Sequence, residues 1–263
     1  MIVKSLKRTA RMSLNMAARL VPTPVRRSYQ LRIDASDFSG FSNPAMRRVA
    51  ETRFFHDADV RSIDGWLHPA ERQLLYALGL HIEGPFLEIG AWVGLSTVAI
   101  ARGIRASGQD KAFTSCDLGL TTEHFRPVED GMIGMFVDGE NMGSCSERAY
   151  RQTMLPVLSS PGGAAGQLKR NLKAAGVDDL VDVVLGDFKK LDLPVANVLF
   201  CDATHNLKEI ETNAPGLRRL LRPGSIIAFH DVCTDPKLIA AVKAEFPVRH
   251  HAAVRSLFVG EIA

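Results

Sequence analysis

One stretch constrains the fold more than any other: Phe86-Leu87-Glu88-Ile89-Gly90-Ala91-Trp92-Val93-Gly94-Leu95-Ser96-Thr97. A short apolar run carries an acid near its end. Two glycines follow, separated by three residues, and a Ser-Thr pair opens a helical pattern. The order predicts a strand, a tight turn and a helix N-terminus. Glycine takes the positive φ such a turn needs and admits close approach of a ligand or a second backbone. The free amides and dipole of a helix from about Leu95 favour an anionic group. A dinucleotide-binding turn would carry G-x-G-x-x-G; here the spacing is Glu-x-Gly-x-x-x-Gly, with Trp92 between the glycines.

Strands and helices alternate on either side of this turn. A short helix is expected over 43–55 and another over 69–78, with Pro69 in its first turn and the Gly79 region closing it. Strands are expected at 85–89, 112–117, 181–185, 197–202 and 225–230, with helices at 95–105, 164–175, 207–221 and 236–244. Two short strands near 248–250 and 257–259 end the series. Unalternating apolar runs such as Val198-Leu199-Phe200-Cys201 suit burial on both faces. The expected fold class is therefore α/β: a doubly wound, mostly parallel seven-stranded Rossmann-like sheet with helices on both faces. Ligands bind such sheets beyond the carboxyl ends of the strands, where Glu88, Asp117, Asp187, Asp202 and Asp231 all fall.

Charge separates an N-terminal arm from the rest. Residues 1–33 hold eight of the 32 Lys/Arg and none of the 29 Asp/Glu, so the remainder is mildly acidic. That balance argues against a nucleic-acid-binding domain. Lys4, Lys7, Arg8, Arg11 and Arg19 share one helical face, and Leu6, Leu14 and Leu20 lie opposite. The arm reads as a basic amphipathic N-terminal helical extension. It suits either peripheral membrane contact through residues 1–24 or packing on its own domain or a second copy in a homo-oligomer. Residues 34–263 form the expected single domain. It is interrupted by an irregular, lid-like insertion at about 121–163, where Asp130, Asp138, Glu140 and Met142 are candidate pocket residues. No apolar run approaches the roughly 18 residues of a membrane span. Cys116, Cys145, Cys201 and Cys233 include no C-x-x-C pair, and Cys116 and Cys201 fall in expected buried strands. Neither a zinc site nor a disulfide framework is expected, and a reducing, cytoplasmic location is.

The Glu88–Gly94 pattern resembles motif I of class I S-adenosylmethionine-dependent methyltransferases. The resemblance extends from about residue 64 to the C-terminus. It implies a cofactor site formed by Glu88, Gly90, Trp92, Gly94, Ser96, Thr97 and Asp202, with Asp117 on the ribose hydroxyls. Asp187 would contact the adenine amino group, and Phe188 would pack near the ring. Asp202-Ala203-Thr204-His205 and the Pro223-Gly224-…-His230-Asp231 segment resemble bacterial small-molecule O-methyltransferases, including macrolide-sugar methyltransferases. Catechol-type relatives carry a lysine where His205 falls. Metal-dependent members bind magnesium through acids matching Asp202 and Asp231, which leaves His230 a marginal ligand. This chain departs from that pattern with Ser225 in place of a second glycine, Ala203 after the acid, and no obvious third acidic ligand.

The residues themselves support this chemistry. Two strand-end carboxylates suit a hard cation such as Mg²⁺, which would lower the pKa of a substrate hydroxyl. Asp202 and His205 are the candidate catalytic pair, with His205 accepting the hydroxyl proton. Blander readings stand beside these: His205 as a helix cap, Asp117 as a cap or turn residue, Asp187 as an Asx turn. The expected function is S-adenosylmethionine-dependent O-methyl transfer to a small hydroxylated molecule such as a sugar or sugar-bearing metabolite. One alternative is a non-catalytic cofactor-fold protein docked by its arm. The other, an NAD(P)-dependent oxidoreductase, lacks the third glycine and a Tyr-x-x-x-Lys pair.

Overall fold

The computed structural model describes residues 35–53, 60 and 62–263. The basic arm, and the Phe54-Phe55 end of the first expected helix, lie outside the described residues. That helix, α1, spans Ala45–Glu51. It packs beside α2, Pro69–His81. The alternating series follows: β1 Phe86–Ile89, α3 Leu95–Ser107 and β2 Phe113–Asp117. After the 121–163 region come α4 Gly163–Ala175, β6 Asp182–Leu185, β7 Val198–Cys201 and α5 Leu207–Arg218. β8 Ile226–Phe229, α6 Pro236–Glu245, β9 Val248–Val254 and β10 Leu257–Ile262 complete the chain.

Seven strands form one sheet in the order β6-β2-β1-β7-β8-β10-β9. The first five are parallel neighbours, and β10 runs antiparallel to both β8 and β9. β1 sits at the centre of the parallel part, in register with Phe113 of β2 and Val198 of β7 through Phe86. The chain order reverses beside β1, which makes its carboxyl end the crevice of the sheet. Successive strand residues point to opposite faces. Val198, Phe200, Ile226 and Ala228 pack with α2, α3 and α4, whereas Leu199, Cys201, Ile227 and Phe229 pack with α5 and α6. This two-sided burial explains why the central strands read as unbroken apolar runs.

Two expectations need correction. Gly79 does not close α2, which continues to His81. A Cβ on Gly79 would stand 2.4 Å from the Ile100 carbonyl oxygen, and one on Gly103 would stand 2.0 Å from that of Tyr76. The two glycines let α2 and α3 touch backbone to backbone.

The 121–163 insertion is not irregular either. It contains an antiparallel meander of β3 Phe125–Pro127, β4 Met132–Val137 and β5 Glu140–Ser146. Asp138 and Gly139 join β4 to β5 at φ 51° and 83°, the left-handed pair that a tight hairpin requires. Short helical pieces follow at Glu147–Ala149, Tyr150–Met154 and Leu155–Leu158. No described helix is long and apolar enough to cross a membrane.

Candidate active site

The turn after β1 is held from both sides. On the β2 side, Asp117 Oδ2 accepts from the amides of Ala91 (2.9 Å) and Trp92 (2.8 Å). Asp117 Oδ1 accepts from Gly119 (2.8 Å). The first two bonds organise the turn after β1, a role the sequence reading missed, and the third makes Asp117 the turn residue that reading allowed for. They also fill Oδ2, so a ribose hydroxyl would find its free lone pair on Oδ1. On the β7 side, the Asp202 amide donates to the Ile89 carbonyl at 2.9 Å. Gly90, at φ 90°, lies so close that a Cβ there would stand 3.1 Å from the carbonyl carbon and oxygen of Asp202. Gly94, at φ 92°, caps α3, and a Cβ there would meet Leu168 at 2.6 Å. Asn171 of α4 donates to the Val93 carbonyl at 2.7 Å. Trp92 adopts φ 51° and sets its ring 6.2 Å from that of the exposed Trp66.

Glu88 lies beneath the turn rather than in the crevice. It is fully buried and accepts from Thr97 and Ser115 hydroxyls at 2.6 Å each. Burial pushes its pKa up to about 7 against those hydroxyl bonds. Ser96 and Thr97 are buried as well, so Thr97 braces Glu88. Asp187 makes the Asx turn, accepting from the Lys189 amide at 3.0 Å. Phe188 is buried under α5, where a Cβ on Gly216 would come within 3.0 Å of its ring. The structure thus places Phe188 in the core, because Gly216 opens a slot for it there.

Beside the turn, Asp202 meets two histidines. Its Oδ1 lies 2.9 Å from His230 Nδ1 and 3.4 Å from His205 Nε2. His205 is half exposed and also faces Glu209, at 3.3 Å from Nδ1, while its amide donates to the same carboxylate at 2.5 Å. It does not cap α5: Asn206 does, accepting from the Glu209 amide. Burial would lower the His205 pKa, but Asp202 and Glu209 overcome it and raise the value to about 10. Burial opposes ionisation of Asp202, yet the two imidazoles hold its pKa well below the usual range.

His230 is buried, and its Nε2 points at Glu71 Oε2, 3.5 Å away. Glu71, on α2, was not anticipated. It is 1% exposed and accepts from the His68 amide (2.6 Å), the Ser256 amide (2.9 Å) and the Ser256 hydroxyl (2.6 Å). Against the penalty of burial, Asp202 and Glu71 raise the His230 pKa to about 11. Asp231 is left-handed at φ 63°, with its side chain 47% exposed and Oδ2 3.9 Å from His230 Nδ1. Asp202, Asp231 and His230 therefore do not form a metal set. No group of three or more His, Cys, Asp or Glu among the described residues is arranged to hold a metal ion. The cause is local: the His230 Nδ1 bond to Asp202 turns the imidazole's donor, not its lone pair, toward the carboxylate.

Of the five strand-end acids, then, Asp117 and Asp202 flank one turn. Glu88 supports it from below, and Asp187 and Asp231 follow β6 and β8, each two strands from β1. The i,i+4 spacing of His205 and Glu209 was visible in the sequence. The Glu71–His230 contact joins residues too far apart in the chain to be read from it.

A family model described as a methyltransferase domain matches residues 87–232, more than half of the chain. No curated protein matches it. Among solved structures, the chain is similar to cofactor-bound Rv0187 from MTB, at 18% identity and TM-score 0.48 over 84% of this chain and 90% of that one. It is also similar to a Bacillus cereus O-methyltransferase in complex with SAH, at 16% identity and TM-score 0.48 over 82% and 96%. A third similarity is to the Streptomyces achromogenes O-methyltransferase TomG in complex with SAM, at 16% identity and TM-score 0.47 over 90% and 98%. The family model runs from β1 to just past the end of β8, and the chain belongs to the methyltransferase-domain family.

Proposed function

We propose that the protein transfers the methyl group of S-adenosylmethionine to a hydroxyl of a small molecule, a sugar or sugar-bearing metabolite being the acceptor class the motif resemblance favours. One observation carries this reading. Gly90 of the cofactor turn lies against the backbone of Asp202, whose carboxylate holds the half-exposed His205. A methyl donor in the turn and a hydroxyl at His205 would therefore be neighbours.

The residues divide the work. Asp117 fixes the turn and offers Oδ1 to the ribose. Gly90 and Gly94 let the turn seat closely on the Asp202 backbone and on Leu168. In its neutral form His205 would take the proton of the acceptor hydroxyl; bound S-adenosylmethionine would supply the methyl group, its sulfonium leaving as a neutral thioether. Asp202 and Glu209 stabilise the imidazolium that results. Much of the barrier reduction is positional, since the two reactants are held in one crevice.

The meander acts as a cover in this reading. Asp138 and Glu140 of its hairpin pair with Lys190 after β6 (2.6 Å) and Lys208 of α5 (3.7 Å). The Lys190 segment itself packs on α5, since Arg219 donates to the Phe188 and Leu191 carbonyls, so both pairs tie the hairpin tip beside α5. Exposed pairs of this kind are weak, as suits a cover that must release product. The acids Asp138 and Glu140 thus serve the latch.

The test is substitution of His205. His205→Ala is expected to cut turnover with any accepted hydroxyl compound heavily while leaving S-adenosylhomocysteine affinity nearly intact. Unchanged turnover would remove His205 as the proton acceptor.

A further inference from the structure

We propose that His230, backed by Glu71, occupies the place a divalent cation takes in metal-dependent relatives, so that this chain positions its acceptor without a metal at the β7 and β8 tips. The inference rests on methyl transfer at the Asp202–His205 pair. It concerns how that pair is held.

The donor set carries the argument. Magnesium requires near-octahedral oxygen ligands at about 2.0–2.1 Å. Here Asp202 Oδ1 is taken by His230 Nδ1 at 2.9 Å and approached by His205 Nε2 at 3.4 Å. His230 Nδ1 donates in that bond to the ionised carboxylate and so has no lone pair for a cation there. The ring is 5% exposed, lying between the strand tip and Glu71 of α2. Asp231, the remaining acid, has its side chain 47% exposed and its Oδ2 3.9 Å from His230 Nδ1.

Glu71 explains why the ring stays. Its carboxylate is anchored by three donors from His68 and Ser256 and faces Nε2 of the imidazole. Such a buried carboxylate needs a cationic partner, because an isolated buried charge is costly. The sequence Glu71–His230–Asp202–His205 therefore fixes the orientation of Asp202 from behind, as outer partners orient metal ligands elsewhere. Glu71 and His230 are positioning residues, since they act on the acceptor only through Asp202.

Manganese binding separates this proposal from the activity itself. The full chain, stripped with EDTA and loaded with S-adenosylhomocysteine, is titrated with Mn²⁺ while the paramagnetic resonance signal of free ion is followed. The expected result is no ion whose capture depends on Asp202. Methyl transfer should also be indifferent to EDTA and to added Mg²⁺. The double variant His230→Asp with Glu71→Gln, confirmed folded by its S-adenosylhomocysteine affinity, is expected to capture one Mn²⁺ per chain. One ion per wild-type chain that Asp202→Asn abolishes would overturn the proposal, as would a folded double variant that captures none. Failure to methylate any hydroxyl compound would bear on the proposed function and leave the manganese result standing.

Discussion

The pH dependence of turnover follows from the two carboxylates around His205. With its pKa raised to about 10 by Asp202 and Glu209, only about one molecule in a thousand carries the neutral, proton-accepting imidazole at pH 7. Below the pKa that fraction grows tenfold per pH unit. A plot of log kcat/KM against pH should climb with a slope near one from about pH 7 to 9 and bend near pH 10. Glu209 supplies part of the shift through its 3.3 Å contact with Nδ1. Glu209→Gln removes that charge but keeps the side-chain length, so the bend should move to lower pH and the neutral fraction at pH 7 should rise. The assay is initial-rate formation of S-adenosylhomocysteine in buffers of constant ionic strength. A flat profile over this range would refute proton acceptance by His205. A bend that Glu209→Gln leaves in place would assign the ionisation to the acceptor hydroxyl instead.

Further predictions concern the frame around the site. Gly103→Ala, which would drive a methyl into the Tyr76 carbonyl, should destabilise the fold by about 1–3 kcal/mol or more, read as a lowered denaturation midpoint. Reversing the Asp138–Lys190 pair one residue at a time should speed S-adenosylhomocysteine release in stopped flow, and exchanging both residues should restore it. The His230 pKa lies above its unfolded value, so its contribution to stability is fully present below about pH 6.5 and is lost as pH rises through about 11. His230→Gln should flatten the alkaline decline in melting temperature relative to the wild type. On the basic arm, removal of residues 1–24 should abolish co-sedimentation with anionic liposomes; equal sedimentation with and without them would end the membrane reading.

What could be read from the sequence divides along physical lines. The parallel strands were legible because burial on both faces leaves them as apolar runs, Val198–Cys201 above all. The glycine turn was legible because positive φ at Gly90 and Gly94 leaves a mark in composition. The meander was missed although its Asp138-Gly139 pair is a strong hairpin signal. β5 is mostly exposed and carries no apolar face, and Gly134 and Gly143 interrupt the alternation. Gly79 read as a helix end because its reason for being glycine, contact with α3, lies 24 residues away in Gly103. Phe188 read as a cofactor neighbour for the same reason: the slot that takes it inward is made by Gly216. The metal expectation followed from residue types at strand ends. Glu71, which the sequence shows only as an acid at the start of α2, faces His230 where that ring meets Asp202.

The central claim is that the turn gripped by Asp117 and seated on the Asp202 backbone receives S-adenosylmethionine. The most direct test is calorimetric titration of S-adenosylhomocysteine into the wild-type chain and into Gly90→Ala. That substitution forces a left-handed alanine, a strain of about 1–3 kcal/mol, and sets its methyl 3.1 Å from the Asp202 carbonyl. The account predicts one ligand bound per wild-type chain and an affinity at least severalfold weaker in the variant. No binding to the wild type, or equal binding to both, would contradict it.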